Sequence, residues 1–336
     1  MNEQLLTYSL DPELTLGNLK KGKNLNEINV QEKEKLEKWM EKNNIGGIIQ
    51  GGSDFNYKFL GIKSRPYIVY YKGDLSLLNK PILGIVGPRK MSEYAQKVLE
   101  KIFEKINNYD LVTISGMAQG VDSLCHNLSI ENNVPTIAVL GGGLKWHLES
   151  KHRNMINKIV DNGGLVLSEF KLNFVPTNFS FPQRNRIIAG LSDVLFLPEA
   201  SKKSGSLITA QFAIEMKKSV YASSNGIFAS NSQGVNQLIS DGKIKMINDV
   251  QIFLDKFFKG KNLAESLNPE AGSKEKKNLS EEENQILNFI AEKNGCGLQE
   301  LIKFLGMTAE KILGIMTILE MNNFVYQESP GIYKVC

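Results

Sequence analysis

The sequence is poor in cysteine and has no long apolar run. Its 3 cysteines among 336 residues, Cys125, Cys296 and Cys336, are far apart and form no Cys-x-x-Cys pair. That usage favours a reducing cytosol and argues against a disulfide framework or a zinc site. No apolar run reaches the ~18–20 residues that a membrane-spanning helix needs. The N-terminus is polar and acidic, unlike a signal peptide. We therefore expect a cytoplasmic protein without membrane contact.

Arginine is also scarce, although the chain is mildly basic. The net charge is +4, and lysines supply nearly all of the positive charge. A total of +4 leaves acidic partners open without requiring them. Four arginines, Arg89, Arg153, Arg184 and Arg186, lie within residues 80–258, and Arg65 precedes them. A lysine-biased genome could scatter five arginines by chance. Their positions matter nevertheless, because a guanidinium forks onto phosphate whereas an ammonium is a point charge.

The central segment, residues 51–258, has the pattern of a doubly wound α/β domain. Short continuous apolar runs alternate with helical stretches, which predicts a Rossmann-like parallel sheet covered on both faces. The runs are ILGIV (82–86), LVTIS (111–115), TIAVL (136–140), LVLSE (165–169), VLFLP (194–198) and SVYAS (219–223). In such a sheet the ligands bind beyond the carboxyl ends of the strands.

The flanking segments differ in pattern from the centre. Residues 1–50 read as a poorly defined leader with one amphipathic helix at 30–44. Residues 259–278 are polar and aperiodic, which indicates a linker. Residues 279–336 begin with a capping box, Ser280 with Glu283. The three short helices and small hairpin predicted there suggest a C-terminal winged-helix domain.

The loops after the predicted strands combine glycine with cations. Gly116 and Gly120 flank Met-Ala-Gln where the second run turns into a helix. Glycine-rich backbone and helix N-termini favour anions. Each of these elements is also explained by a structural role without a ligand. The turn could be an ordinary strand–helix connection, and the SGSLIT segment could cap a helix. Aromatic residues that could stack on unpaired bases lie between the charges, namely Trp146, Phe170, Phe174, Phe179 and Phe181.

Other constellations point less clearly to chemistry. Asp122 and His126 lie one helical turn apart, which suits acid–base chemistry but more often caps a helix and fills a satisfied pocket. His147 and His152 lack a matching set of acidic or cysteine partners. We therefore expect neither a bound metal nor a cofactor.

Seven motifs occur in an order that resembles a known family. They are GIVGPRKMSEYA, ISGMAQGVDSLCH, TIAVLGGGL, GGLVLSEF, FPQRNRIIAGLSDVLFLPEA, SGSLITAQFAIE and GVNQLISDG. Over residues 54–258 the chain is similar to the DNA-processing protein A family (DprA, also called Smf), and its tail is similar to that family's C-terminal winged helix. The resemblance implies a homodimeric, non-enzymatic protein that binds single-stranded DNA. It further implies protection of incoming DNA and loading of the RecA recombinase in natural transformation.

The resemblance also implies DNA-binding positions, to which the lysines near the loops are added. The predicted set is Arg89, Ser115, Gly116, Gly120, Lys145, Lys151, Lys171, Arg184, Asn185, Arg186, Ser204, Gly205, Ser206 and Thr209. Arg184 and Arg186 are two apart at a helix start, so they cannot both fork onto one phosphate. We expect one of them to face the DNA and the other to brace the loops, and we favour Arg184 as the DNA-facing residue.

The chain departs from the family pattern at several positions. Gln119 stands where arginine is frequent, Leu148-Glu149 replaces Tyr-Pro, and Ser224-Asn225 replaces Pro-Gly. The family's N-terminal helix-hairpin-helix-like module is not recognisable in residues 1–50. These differences bear on the DNA path and on partner contacts rather than on the fold.

Two other functions remain open on the residues alone. Rossmann-like relatives of the lysine-decarboxylase-like (LOG) group hydrolyse nucleoside monophosphates through a Pro-Gly-Gly-x-Gly-Thr-x-x-Glu motif. In this chain the loop after the fifth apolar run, VLFLP, lacks the glycine pair and the spacing of that motif. A transcription regulator would need a basic recognition helix, and residues 308–322 contain only Lys311 as a cation. The turn at 115–120 is therefore predicted to hold a phosphate of a polynucleotide.

Overall fold

The structure is a computed structural model that describes Leu5, Tyr8, Ser9 and residues 30–52, 54–260, 280–293, 295–321, 324–329 and 331–335. The strands are β1 Gly46–Ile49, β2 Ile68–Gly73, β3 Ile82–Ile85, β4 Val112–Ser115, β5 Thr136–Val139, β6 Leu165–Ser168, β7 Val194–Leu197, β8 Ser219–Ser223, β9 Lys245–Ile247, β10 Cys296–Gly297, β11 Val325–Ser329 and β12 Ile332–Val335. Most of the predicted linker, from residue 261 onwards, lies outside the described residues.

Helices follow most of the strands. They are α1 Val30–Lys42, α2 Glu93–Ile106, α3 Val121–Glu131, α4 Leu144–Leu148, α5 Arg153–Asp161, α6 Ser180–Leu191, α7 Ser206–Glu215, α8 Gln233–Ser240, α9 Val250–Phe257, α10 Glu281–Lys293, α11 Leu298–Leu305 and α12 Ala309–Met321. None of the helices in the described ranges is long and apolar enough to cross a bilayer.

The main sheet confirms the predicted α/β architecture. Its nine strands run in the order β1-β2-β6-β5-β4-β3-β7-β8-β9. The strands from β6 to β9 in that order pair in parallel. The chain proceeds from β3 towards β6 on one side and from β7 towards β9 on the other. The winding direction therefore reverses between β3 and β7, which is where a doubly wound sheet opens a crevice for a ligand.

Consecutive residues of the central strands pack on opposite faces of the sheet. Ile82 of β3 lies in the cluster that contains Ile187 of α6. The next residue, Leu83, lies in the cluster that contains Leu99 of α2 and Val121 of α3. Because side chains alternate along a strand, a continuous apolar run buries both faces. This packing is the physical basis of the pattern read from the sequence.

The N-terminal boundary predicted at residue 50 is wrong, because it cuts the main sheet. Strand β1 pairs antiparallel with β2, and β2 pairs antiparallel with β6. Leu36 and Met40 of α1 are buried in the same cluster as Leu5 and Tyr70. The two glycines that begin β1 obscured it in the sequence, since a strand of four residues with no side chain at two positions has little apolar pattern.

The C-terminal residues form a separate small unit. Reciprocal bonds confirm the capping box: Ser280 N donates to Glu283 Oε2 at 2.6 Å, and Glu283 N donates to Ser280 Oγ at 3.1 Å. Helices α10 to α12 enclose a core of their own beside a sheet ordered β10-β12-β11. Tyr57 of the α/β domain meets Phe324 of this unit edge to face, with ring centroids 4.8 Å apart.

Candidate nucleic-acid interface

Two adjacent cavities lie at the carboxyl ends of the central strands. The first, of about 470 Å³, lies beside the 115–120 turn and helix α4. The second, of about 340 Å³, lies beside the N-termini of α6 and α7. Arg89, Ala118 and Phe181 line both of them. We call the two cavities together the groove. Its position agrees with the reversal of winding direction between β3 and β7.

Arg89 stands on the wall that the two cavities share. Its side chain is exposed, and its guanidinium carbon lies 5.5 Å from the centre of the Phe181 ring. Within the described ranges Arg89 forms no ion pair. A guanidinium that rests on an aromatic face keeps its N–H donors directed outwards. Arg89 is thus held in position to fork onto an anion in either cavity.

The turn after β4 supports the groove through its backbone. Ser115 is fully buried, and its hydroxyl donates to Ile85 O at 2.7 Å, so this predicted contact residue joins two strands instead. Gly120 has φ +83°, and a Cβ there would lie 2.3 Å from Pro88 O. Only glycine permits that conformation and so close an approach of the two loops. Gly116 lines the first cavity.

Arg184 is buried against this turn and stabilises it through hydrogen bonds. It is only 3% exposed, and its Nη1 donates to the carbonyls of Gly116 and Val139. Its Nε donates to Asn185 Oδ1 at 3.1 Å. Burial lowers the pKa of Arg184 to about 10, while Asp122 opposes the shift, so the group stays charged at neutral pH. Arg184 also lines the second cavity, so the prediction that it faces the DNA stays a prediction, while its Nη1 is used on the protein's own backbone.

Arg186 braces a different part of the same edge. Its Nη1 and Nη2 donate to the two carboxylate oxygens of Glu169 at 2.8 and 2.5 Å. Its Nε donates to Ser64 O at 3.1 Å, which ties the loop before β2 to helix α6. Arg186 is 7% exposed and Glu169 is 5% exposed. Both guanidinium groups of the Arg-Asn-Arg segment are buried and hydrogen-bonded to the protein, and Arg184 in addition lines the second cavity.

The serine-rich turn forms one end of the second cavity. Ser204, Gly205, Ser206 and Thr209 line it, and the hydroxyls of Ser204 and Ser206 lie 2.7 Å apart. Helix α7 begins here with Gly205 at its N-cap, and Ser206 N donates to Ser204 Oγ at 3.4 Å. Hydroxyl groups and a helix N-terminus offer hydrogen bonds and a positive dipole end to an anion. Asn185 lines the same cavity.

The three predicted lysines are not equivalent. Lys151 is exposed and lines the first cavity. The Nζ of Lys145 lies 5.3 Å from the centre of the Trp39 ring, and that of Lys171 lies 4.9 Å from the Tyr8 ring. Neither of these two lines the groove. The N-terminal segment, for which the sequence indicated no role, therefore positions two of the predicted cations.

Neutral imidazoles form part of the first cavity. His147 Nδ1 lies 3.1 Å from His152 Nδ1, and Trp146 packs edge-on against His147. Burial lowers the pKa of His147 to about 3. His126 forms a hydrogen bond of 2.8 Å with Thr136 Oγ1, and burial lowers its pKa to about 3 as well. Both rings are uncharged at neutral pH, and a pKa so far below neutrality makes them weak bases.

The aromatic residues near the groove divide into packed and exposed members. Phe170 is 7% exposed and stacks on Phe174 at 4.8 Å. Phe181 is half-buried beneath Arg89. Phe179 is 87% exposed immediately before α6. Phe179 lines neither cavity of the groove, but its exposed ring, two residues before Phe181 in the chain, is available to stack on a base.

Sequence reasoning missed Glu199, which joins three loops at this edge. It is fully buried and accepts hydrogen bonds from Ser92 N at 2.7 Å, Ser92 Oγ at 2.6 Å and Asn231 Nδ2 at 2.6 Å. A charged residue directly after the apolar run of β7 was the available signal. Its position, at the carboxyl end of a central strand, is where functional and bracing residues concentrate.

The departures from the family pattern are accommodated locally. Gln119 lines the first cavity, and Leu148 is a buried core residue. Asn225 Nδ2 donates to Pro198 O at 3.2 Å, while its Oδ1 accepts from Ser232 Oγ at 2.8 Å. The amide side chain thus holds the loop in which the family has Pro-Gly.

The fold and groove define an α/β protein whose strand ends offer hydrogen-bond donors to an anionic ligand, and sequence comparison places it more narrowly. The model of the DNA recombination-mediator protein A family matches residues 48–258. The chain belongs to this family. It is 37% identical to the DNA processing protein DprA of Streptococcus pneumoniae over 196 residues, which are 58% of this chain and 68% of the relative. It is 32% identical to the protein Smf of Escherichia coli over 214 residues, covering 64% of this chain and 57% of the relative.

Solved structures agree with this assignment. The X-ray structure of S. pneumoniae DprA matches with a TM-score of 0.59 and 31% identity, covering 76% of this chain and 93% of that one. A Helicobacter pylori DprA structure, described for its single-stranded DNA binding mode, matches with a TM-score of 0.55 and 28% identity. That match covers 63% of this chain and 94% of that one.

Proposed function

We propose that this protein binds single-stranded DNA in the groove and transfers it to the RecA recombinase. The observation that carries the proposal is Arg89, an exposed guanidinium held on an aromatic ring at the wall between two cavities. Phosphate is the ligand best matched to an arginine fork. The single-stranded DNA binding mode described for the H. pylori relative supports the same ligand class.

Several features of the groove favour a polymer over a single nucleotide. The two cavities share a wall and each is open to the surface, so a strand can pass from one to the other. The cations, glycine backbone and hydroxyls can contact phosphates without reading bases. Exposed Phe179 supplies a stacking surface that accepts any base. We expect binding to single strands with little sequence preference.

The finer parts of the proposal concern the rest of the protein. We infer a homodimer in the cytoplasm that protects incoming DNA and loads RecA during natural transformation, without catalysis or a cofactor. The C-terminal unit is proposed to be a winged helix that contacts protein, because the only cation in α12, Lys311, is paired with Glu282 at 2.5 Å. The test of enzymatic activity is ribose-phosphate release from nucleoside monophosphates, in which we expect no turnover.

The central test compares the wild type with Arg89→Ala by fluorescence anisotropy on single- and double-stranded oligonucleotides. We expect the wild type to prefer the single strand and Arg89→Ala to bind it more weakly by about 1–3 kcal/mol. In a plot of log affinity against log salt concentration, the slope should become less steep by about 0.7, which is the change expected for one lost phosphate contact. Lys97→Gln is the control for lost charge, because Lys97 is exposed on α2 and pairs with Glu93. An unchanged affinity in folded Arg89→Ala would overturn the proposed site.

A further inference from the structure

Two neighbouring turns extend the carboxyl edge of the sheet beyond the second cavity of the groove. Strands β7 and β8 pair in parallel, so the loops that follow them begin side by side. In the loop after β7, Ser204 N donates to Ser201 O at 3.0 Å and closes a turn. In the loop after β8, Ala229 N donates to Gly226 O at 3.0 Å and closes another. We call residues 201–204 the lysine turn and residues 226–229 the apolar turn.

The lysine turn presents two cations at the rim of the groove. Its central residues, Lys202 and Lys203, are both exposed. The residues on either side of them, Ser201 and Ser204, line the second cavity. A phosphate chain that leaves the second cavity on this side therefore passes within reach of both ammonium groups.

The apolar turn exposes two side chains that its local structure does not require. Its central residues are Ile227, which is 79% exposed, and Phe228, which is 93% exposed. Turns are dominated by glycine, proline, asparagine, aspartate and serine. Large apolar side chains stabilise a fold when they are buried, and these two lie mostly in solvent. A partner outside the fold accounts for them better than a structural role does.

Hydrogen bonds hold the apolar turn against the loop after β7. Asn225, which precedes the turn, donates from Nδ2 to Pro198 O at 3.2 Å. Asn231, which follows it, donates from Nδ2 to Glu199 Oε2 at 2.6 Å. Because the backbone is fixed on both sides, little ordering is needed when a partner stacks on the Phe228 ring. The apolar turn is thus a preformed surface beside the lysine turn.

We propose that single-stranded DNA bound in the groove continues over these two turns, with Lys202 and Lys203 contacting its phosphates and a base stacked on Phe228. This inference rests on the proposed function and adds a contact surface to it. Cations beside an exposed aromatic ring match the phosphates and unpaired bases of a single strand. A second copy of the chain is a poorer match. A standard protein interface buries about 800 Å² per partner, whereas one aromatic side chain buries about 150–250 Å².

The test of the apolar turn is how affinity depends on strand length, measured by fluorescence anisotropy with the full chain. The probes are dT oligonucleotides of about 4 to about 16 nucleotides, the range of site sizes of single-strand-binding OB folds. The shortest strand, which stays within the groove, should bind Phe228→Ala and the wild type equally. The longest should bind Phe228→Ala at least about fivefold more weakly, and Phe228→Trp like the wild type. The control is Phe304→Ala, at an exposed phenylalanine of the C-terminal unit.

The test of the lysine turn is the salt dependence of binding. Each phosphate contact contributes about 0.7 to the slope of log affinity against log salt concentration. The double variant Lys202→Gln with Lys203→Gln should reduce this slope by about 1.4 for the longest strand and leave it unchanged for the shortest. Lys101→Gln with Lys158→Gln, which removes two exposed lysines from helices α2 and α5, should change neither slope.

Arg89→Ala separates these turns from the groove, because the groove is needed at every strand length. If Arg89→Ala weakens all strands while the turn variants bind the longest strand like the wild type, this inference alone is overturned. If Arg89→Ala binds every strand like the wild type, the groove is not the site and both proposals fall. If Phe228→Ala leaves the length dependence intact but lowers the molar mass of the free protein in light scattering, the ring contacts a second copy, and the inference is wrong.

Discussion

Arg186 and Glu169 form a bidentate ion pair in the interior of the protein, with Nη2 of the arginine 2.5 Å from Oε2 of the carboxylate. Arg186 lies on α6 and Glu169 directly follows β6, so the pair joins the helix to the end of a strand. Breaking a buried pair by removing one partner leaves an uncompensated charge. Together with Arg184 on the Gly116 and Val139 carbonyls, it fixes the loops that surround the groove.

Replacement of Arg186 should therefore act on stability. We expect Arg186→Met to lower the free energy of unfolding by about 3–5 kcal/mol, because Glu169 is left buried and unpaired. Urea denaturation measures this change. The double variant Arg186→Met with Glu169→Leu removes both charges and should recover much of the loss. If the single variant is as stable as the wild type, the pair does not brace this edge.

Replacement of Phe179 should act on DNA affinity alone. The ring is 87% exposed, so Phe179→Ala removes little buried surface and should leave the melting temperature unchanged. If a base stacks on it, single-strand affinity falls by about 1–3 kcal/mol. Phe179→Trp should retain binding because it keeps a stacking face. Val175→Ala, at a nearby exposed apolar position, is the control. Equal affinity of Phe179→Ala and wild type would exclude the stack.

Acid should destabilise the protein through its buried histidines. In the folded protein the pKa of His147 and of His126 is about 3, whereas an unfolded histidine titrates near about 6.5. Between these values the unfolded state binds more protons, so stability is lost as the pH falls from about 6.5 towards 3.

Each histidine contributes a slope of at most about 1.4 kcal/mol per pH unit in that window. His147→Gln should flatten the dependence of unfolding free energy on pH, as measured by urea denaturation between pH 7 and 5. His126→Gln provides an independent check. A variant with the same slope as the wild type would show that the replaced ring is not buried as a neutral group.

Truncation should distinguish the predicted domain boundary from the structural one. A fragment of residues 51–260 lacks α1 and β1, which exposes the edge of β2 and the buried Tyr70. We expect it to aggregate or to melt well below the full chain. A fragment of residues 30–260 should fold and keep most of the single-strand affinity. Circular dichroism and anisotropy measure the two properties. Loss of most binding in the longer fragment would move the principal site into the C-terminal unit.

The central fold could be predicted because its causes are local. The run ILGIV buries alternate residues on both faces of the sheet, and the glycines after it mark the turns. The Ser280–Glu283 capping box likewise involves residues three apart. Strand β1 escaped prediction because two of its four residues are glycines, so that its place in the sheet depends on pairing with β2 and not on a local apolar pattern.

The amino-acid sequence by itself determined the alternation of strands and helices and the collection of glycines, hydroxyls and cations at one sheet edge. Only the tertiary structure decided which cations are available to a ligand. Arg184 binds carbonyls 68 and 45 residues away along the chain, and Arg186 binds a carboxylate 17 residues away. Arg89 has no such partner in the described part of the chain and remains exposed. Whether a guanidinium braces or binds thus depends on which groups the fold brings to it, because a donor already hydrogen-bonded in the interior is not available to phosphate.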